Sequence, residues 1–111
     1  MTNPVQHQLE AFNSRDLDAF LDAYAPDTRI EDGAGTELMS GAEELRTFYG
    51  SVFDNSPDLH CELVNRTSVG DWVFDEEQIE GLHAEGFPEE AHAVVAYRVA
   101  DGQITFVRMF S

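Results

Sequence analysis

The hydrophobic periodicity of the chain changes near Pro57, and this change limits the folds that the sequence can adopt. Before Pro57, apolar residues recur at the three- and four-residue spacing of amphipathic helices. The clearest series is Leu45, Phe48, Tyr49, Val52 and Phe53. After Pro57, four β-rich runs are separated by short turn or loop segments. These runs span residues 60–69, 72–82, 91–99 and 103–110. Helices followed by strands are typical of an α+β fold.

Three helices are predicted in the first part of the chain, with a break between the first two at residues 13–15. Asp16 is expected to cap the second helix, and Asp18 places negative charge in its first turn, where the helix dipole favours it. Pro26 is expected to end that helix. The segment 40–43 matches a capping box and predicts the start of the third helix.

A short strand is predicted over residues 28–32, and it runs into Gly33-Ala34-Gly35, where we expect a loop. The Asp101-Gly102 pair between two β-rich runs indicates a hairpin. Four consecutive strands with short connections should form an antiparallel meander that the three helices cover on one face. Residues 1–111 are therefore expected to form a single domain, because two halves would each be too short.

The charge of the chain excludes several classes of partner. Twenty-two acidic residues against six arginines and no lysine give a formal net charge of −16. Such a surface should repel phosphate backbones and anionic lipids, so we expect neither nucleic acid nor membrane as a partner. The start of the sequence lacks a secretory signal pattern, and the single Cys61 cannot close an intrachain disulfide, so a cytoplasmic location is expected.

The order of these elements resembles the nuclear-transport-factor-2-like superfamily of cone-shaped α+β domains. The segments that carry the resemblance are similar to parts of bacterial ketosteroid isomerases, and SnoaL-like polyketide cyclases share the same plan. They are residues 13–18, 30–35, 40–41, 48–49 and 101–104, together with Arg108. The resemblance implies a curved antiparallel sheet with three helices in the N-terminal half, the cystatin-like α+β barrel, around a small-molecule pocket. It also implies a homodimer formed through the outer face of the sheet.

The resemblance further implies a role for Asp32. In ketosteroid isomerases the acid at the end of the first strand is the base that moves a proton beside a carbonyl, and Asp32 matches that position. Gln8 stands where those enzymes have an oxyanion tyrosine, and Val95 stands where they have a protonated aspartic acid. Losing both donors argues against efficient steroid isomerisation unless Gln8 and Tyr49 substitute for them.

The candidate site therefore consists of Asp32 as general base and of Tyr49 and Gln8 as hydrogen-bond donors. The expected pocket wall consists of Phe12, Phe20, Tyr24, Phe48, Val95 and Tyr97. Structural alternatives stay open for the polar residues. Asp32 could bind the backbone of the glycine-containing turn, Tyr24 and Tyr49 could be core residues, and Gln8 could occupy a boundary position.

The acidic run at residues 75–77 falls within a predicted strand, so its middle residue should face one side of the sheet and its outer two the other. One of those sides should be the cone interior. A carboxylate buried near Asp32 would have a raised pKa through like-charge repulsion. The alternative is a solvated strand edge or a pair with Arg66 or Arg98. Glu31 is expected to face away from Asp32, toward solvent or a subunit contact.

No metal or cofactor is expected. The four histidines are His7, His60, His83 and His92, and no two of them stand at a close ligand spacing. Cys61 follows His60 directly in a strand, so the two side chains face opposite ways and Cys61 is interpreted as a small apolar residue.

Three functions remain open from the sequence. The first is a steroid delta-isomerase-like or SnoaL-like enzyme that transfers a proton on a small apolar carbonyl or cyclic substrate. The second is a binding module in which the same pocket holds an apolar metabolite without chemistry. The third is an association module, suggested by bulky apolar residues beyond those needed inside one small cone. They are Trp72, Phe74, Phe106 and Phe110.

Overall fold

The three helices lie in the first 55 residues, and six strands form one sheet in the computed structural model, which describes residues 3–111. The elements are α1 (Pro4–Ser14), α2 (Leu17–Asp22), β1 (Tyr24–Asp32), β2 (Glu37–Ser40), α3 (Ala42–Asn55), β3 (His60–Val69), β4 (Trp72–Glu80), β5 (Ala91–Ala100) and β6 (Gln103–Phe110). None of the helices within residues 3–111 is both long enough and apolar enough to cross a membrane.

The starts of α1 and α2 follow from side-chain caps. The Asn3 side chain accepts a hydrogen bond from the Val5 N–H at 3.0 Å, and Pro4 occupies the first turn, where its missing N–H costs nothing. Asp16 caps α2 by accepting from the Ala19 N–H at 3.1 Å. The predicted cap at Asp16 is therefore confirmed, as is the acidic first turn at Asp18.

Two predicted helix boundaries were wrong. The helix α2 ends at Asp22, well before Pro26, because Tyr24 already belongs to β1 and pairs with Ile104 of β6. The helix α3 begins after Gly41, whose φ of 87° falls in the left-handed region that favours glycine. Glu44, rather than the predicted Glu43, reaches back to accept from the Ser40 N–H at 2.9 Å.

The sheet has the order β2-β1-β6-β5-β4-β3. The predicted antiparallel meander is confirmed for β3 to β6. The expectation of a wholly antiparallel sheet was wrong, because β1 pairs with β6 in parallel. The segment after Gly33-Ala34-Gly35 returns as the short strand β2, antiparallel to β1. The curved sheet does not close into a barrel, since β2 and β3 form free edges within residues 3–111.

The core lies between the concave face of the sheet and the helices, with an aromatic cluster at its centre. The Phe20 ring is 4.5 Å from the Tyr49 ring, 5.0 Å from the Tyr24 ring and 5.6 Å from the Phe53 ring, measured between centroids. Tilted and edge-on rings at these distances are favourable arrangements. These rings join α2, α3 and β1 and hold the helices against the sheet.

Candidate functional site

A cavity of about 340 Å³ lies between the helices and the concave face of the sheet. This volume is near the lower end of the range for ligand pockets, about 300 to 1,000 Å³. The nine residues that the sequence singled out all line it. They are Gln8, Phe12, Phe20, Tyr24, Asp32, Phe48, Tyr49, Val95 and Tyr97. Fold and sequence pattern thus converge on one hollow with mainly apolar walls.

The connection between β4 and β5 forms part of the cavity wall. Gly86, Phe87 and Pro88 line the cavity, and the Phe87 ring lies 5.4 Å from the ring of Phe48 on α3. The buried Ser56 holds the base of this connection by accepting from the His83 N–H at 2.9 Å. The connection therefore helps to separate the cavity from solvent.

Asp32 both closes a turn and lines the cavity. Its Oδ1 atom accepts hydrogen bonds from the N–H groups of Ala34 and Thr36, each at 2.9 Å. The turn alternative from the sequence is therefore present in the fold, although it engages only one carboxylate oxygen. The turn fixes the orientation of the carboxylate through Oδ1, and no side-chain hydrogen bond within residues 3–111 engages Oδ2.

A chain of hydrogen bonds runs from Tyr24 through Gln8 and Tyr97 to Glu77. The Gln8 Nε2 atom donates to the Val5 carbonyl at 3.1 Å, which fixes the orientation of the amide because a carbonyl can only accept. Nε2 also donates to the Tyr97 hydroxyl at 3.3 Å, while Oε1 accepts from the Tyr24 hydroxyl at 3.3 Å. The Tyr97 hydroxyl then donates to Glu77 Oε2 at 3.4 Å. Gln8 therefore orients two tyrosines.

Glu77 belongs to the acidic run that the sequence left open between the cone interior and a solvated strand edge. It lines the cavity from β4 and is only 4% exposed. Burial, followed by the negative charge of Asp75, raises the pKa of Glu77 to about 7. Strand alternation placed residues 75 and 77 on one face of the sheet, but only the fold shows that this face is the interior.

Asp75 is fully buried beside Glu77 and is neutralised by Arg66. The guanidinium donates to both carboxylate oxygens, from Nε at 2.7 Å and from Nη2 at 2.9 Å, and its Nη1 donates to Gln6 at 2.9 Å. The pairing with Arg66 that the sequence left open therefore applies to Asp75. The sequence predicted that repulsion by Asp32 would raise the pKa of a buried acid. In the fold, the repulsion that raises the pKa of Glu77 comes from Asp75.

Asp32 and Glu77 face the same cavity from distant strands. Strands β6 and β5 separate β1 from β4, which corresponds to about 14 Å along the sheet at a spacing of about 4.8 Å per strand. A molecule between the two carboxyl groups can therefore meet one acid at each side.

The Glu77 carboxyl is expected to make stability depend on pH. Its pKa is about 7 in the folded protein against 4.5 ordinarily. Between pH 4.5 and pH 7 the folded protein therefore keeps a proton on Glu77 that the unfolded chain has lost. The stabilisation is complete below pH 4.5 and is lost as the pH rises through 7, by an amount of the order of 3 kcal/mol.

Replacing Glu77 by Gln removes this titration and keeps an acceptor for Tyr97. The variant should match the wild type in unfolding free energy at pH 4 and exceed it at pH 8, as measured by urea denaturation. Glu62→Gln, on the exposed side of β3, is the matched control and should change neither value. If the unfolding free energy of E77Q equals that of the wild type at both pH values, Glu77 does not titrate in this range.

The tyrosines and Cys61 keep their protons. Burial, and next the charges nearby, raise the pKa of Tyr24 and of Tyr97 well above the ordinary value. Burial, and next the charge of Glu77, likewise raise the pKa of Tyr49, which lines the cavity. Burial and Glu77 raise the pKa of the Cys61 thiol, which is therefore a protonated wall residue rather than a nucleophile.

Glu31 lies on the face of the sheet opposite to Asp32, but it is not open to solvent. Its carboxylate is buried between two guanidinium groups, at 2.8 Å from Arg29 Nε and 2.6 Å from Arg108 Nη2. Of the two alternatives for Glu31, a solvent-facing side chain is excluded because both arginines fold over it, and a subunit contact stays a prediction. Within residues 3–111, no group of three or more His, Cys, Asp or Glu side chains is arranged to hold a metal ion.

The sequence matches the SnoaL-like domain family over residues 5–107, and the chain belongs to this family. Solved structures share its fold. A cystatin-fold protein of Novosphingobium aromaticivorans is 21% identical, with a TM-score of 0.87 and coverage of 100% of this chain and 99% of the other. A candidate polyketide cyclase of Sinorhizobium meliloti is 18% identical, with a TM-score of 0.77 and coverage of 98% and 94%.

A third protein, from Catenulispora acidiphila, has a ketosteroid isomerase-like fold and was crystallised in complex with trimethylamine. It is 19% identical, with a TM-score of 0.74 and coverage of 100% of this chain and 86% of the other. These likenesses establish the cystatin-like, nuclear-transport-factor-2-like fold of the chain.

Proposed function

We propose that this chain binds a small, largely apolar molecule in its cavity and moves a proton on it in an isomerase- or cyclase-type reaction. The observation that carries the proposal is that the aromatic hollow has a carboxylate, Asp32, held on its wall by a turn. The reacting molecule would be a small carbonyl-containing or cyclic compound.

Asp32 is the general base in this proposal. Its Oδ2 atom takes a proton from a carbon beside the carbonyl, the electron pair passes to the carbonyl oxygen, and the proton returns at a second carbon. The Tyr49 hydroxyl is the donor to the developing negative charge, since Tyr49 lines the cavity and burial keeps its proton in place. Both Gln8 N–H groups are already engaged, so Gln8 acts through Tyr97 as a positioning residue.

The similar structures support the chemistry only in outline. One is a candidate polyketide cyclase, and another, with a ketosteroid isomerase-like fold, was crystallised in complex with the small molecule trimethylamine. Because fold does not determine reaction, the proposal depends on the arrangement of Asp32 and the cavity in this chain.

The proposal can be tested without a known substrate by following proton exchange. Small cyclic ketones such as cyclohexanone and 2-cyclohexenone are incubated with the protein in D₂O, and loss of the signals of protons beside the carbonyl is followed by ¹H NMR. We expect exchange to be faster than in protein-free buffer of the same acidity. The exchange rate should also saturate as the ketone concentration rises. Saturable binding of a ketone with no acceleration of exchange would reject the catalytic proposal.

A pocket that binds without chemistry is the second candidate. It is favoured by the loss of both expected oxyanion donors. Val95 is apolar, and the Gln8 amide already donates to the Val5 carbonyl and to the Tyr97 hydroxyl. The exchange experiment separates the two candidates, because the binding module would hold a ketone without labelling it.

The third expectation, self-association, is kept as a proposal about the outer face of the sheet. Trp72, Phe74, Phe106 and Phe110 lie on this face, and Phe74 and Phe110 are 37% and 43% exposed. An exposed aromatic patch of this kind favours an interface. We propose a homodimer joined through it.

Sedimentation should therefore show a species of twice 12.4 kDa at micromolar concentration. Phe74→Glu, which places a charge in the patch without touching the cavity, should shift the protein toward monomer. A wild-type protein that sediments as a monomer would contradict the proposed dimer.

A further inference from the structure

Glu77 has no role in the proposed proton transfer, although it is the more deeply buried acid of the cavity. The cavity wall carries two carboxyl groups, Asp32 and Glu77, and no arginine among the described residues; the chain has no lysine. Arg66 does not line the cavity, and its guanidinium gives two hydrogen bonds to Asp75. The charge balance inside the cavity is therefore negative.

The rest of the wall adds to this preference. Seven aromatic residues line the cavity: Phe12, Phe20, Tyr24, Phe48, Tyr49, Phe87 and Tyr97. The face of an aromatic ring carries partial negative charge and attracts cations, most strongly where water is excluded. An anionic ligand would meet repulsion from the carboxylates and gain nothing from these faces.

The hydrogen-bond chain is also oriented toward a negative charge on Glu77. The Val5 carbonyl fixes the Gln8 amide, which makes the Tyr97 hydroxyl an acceptor from Gln8 and directs its proton to Glu77. The protonated Cys61 thiol also favours the ionised form of this carboxyl. These hydrogen bonds therefore favour the ionised Glu77, whereas burial and the charge of Asp75 oppose it, and a bound positive charge would offset that opposition.

We propose that the ligand of this cavity is a small organic cation, a protonated or quaternary amine, whose nitrogen lies against Glu77 and whose apolar groups lie among the aromatic rings. This inference rests on the proposed function only in requiring that the cavity takes a ligand; it does not require catalysis. The net charge of −16 would further raise the local concentration of such cations.

Cation binding should strengthen as the pH rises through the titration of Glu77. Several groups face this carboxyl and set its titration. They are Asp75 on its own strand, Cys61 and Arg66 on β3, Tyr97 on β5, Tyr24 on β1 and Tyr49 on α3. The three tyrosines and Cys61 remain protonated and Arg66 remains charged, so Glu77 accounts for the change near pH 7.

The test compares choline with 3,3-dimethylbutan-1-ol, which has the same shape and lacks the charge. Binding of each is measured by NMR titration at pH 6 and pH 8 to the wild type, to Glu77→Gln and to the control Glu62→Gln. For the wild type at pH 8 we expect choline to bind at least about tenfold more tightly than the alcohol. Choline binding should weaken about tenfold at pH 6, and E77Q should lose both the preference and the pH dependence.

Equal binding of the two probes, or an unchanged preference in E77Q, would overturn the cationic ligand and leave the small-molecule pocket intact. If both probes fail to bind at millimolar concentration while a cyclic ketone saturates the cavity, the cationic ligand is likewise overturned and the proposed function stands. Failure of the probes and of every ketone would remove the proposed function as well.

Discussion

Replacing Asp32 by Asn is expected to slow deuterium exchange into a bound ketone by about 100- to 10,000-fold, the usual contribution of a positioned general base. Asparagine keeps an oxygen that can accept from the Ala34 and Thr36 N–H groups, so the turn should survive the change. The variant loses only the ability to take a proton. Exchange rates at saturating ketone give the comparison.

The matched control is Asp27→Asn, which alters an exposed acid on the same strand and outside the cavity. It should exchange at the wild-type rate. The melting temperatures of both variants should stay close to that of the wild type. Equal exchange by D32N and the wild type would remove Asp32 from the mechanism and direct attention to Glu77.

Replacing Arg66 by Met is expected to lower the free energy of unfolding by about 3 to 5 kcal/mol at neutral pH. Asp75 is fully buried, and the guanidinium is its charge partner on both carboxylate oxygens. Without Arg66 a buried carboxylate would have to fold unpaired or take up a proton. Urea denaturation at pH 7 measures the loss.

Arg46→Met is the control, because the Arg46–Asp18 pair is exposed at 55% and 84% of its side chains and should contribute about 0 to 1 kcal/mol. A double variant, Arg66→Met with Asp75→Leu, removes both buried charges and should recover most of the stability. An R66M protein as stable as R46M would mean that the buried pair does not hold β3 and β4 together.

The periodic parts of the sequence predicted the corresponding parts of the fold. The helical series from Leu45 to Phe53 lies on the buried face of α3, and the four β-rich runs became β3 to β6. These signals are local, since each depends on residues within one turn of helix or one strand. Asp16 as a cap has the same local origin.

The pairing of β1 was beyond local reasoning. Pro26 lies inside this strand, and its parallel partner β6 is about 80 residues further along the chain. Nothing near Tyr24 in the sequence indicates that it ends in a strand rather than in a helix, because the choice is decided by contacts with Ile104 and its neighbours. The short strand β2 likewise depends on its pairing with β1.

The sequence predicted the apolar residues that line the cavity, but only some of its polar groups. The resemblance and the helical spacing located Asp32 and the aromatic residues. For Glu77 the sequence left the cone interior and a solvated edge open, because alternation divides a strand into two faces without telling which one is buried. Tyr97, which donates to Glu77, and Gln8, which donates to Tyr97, lie 20 and 69 positions from it, so no spacing rule could have joined the three.

The hollow between helices and sheet can be tested by an NMR titration of the labelled protein with cyclohexanone, comparing the wild type with Val95→Trp, which fills the cavity from β5. We predict saturable shifts in the wild type, confined to the amides of cavity-lining residues such as Asp32, Glu77 and Ala93, and their loss in V95W. Shifts that do not saturate, or that persist unchanged in V95W, would contradict a ligand-binding interior.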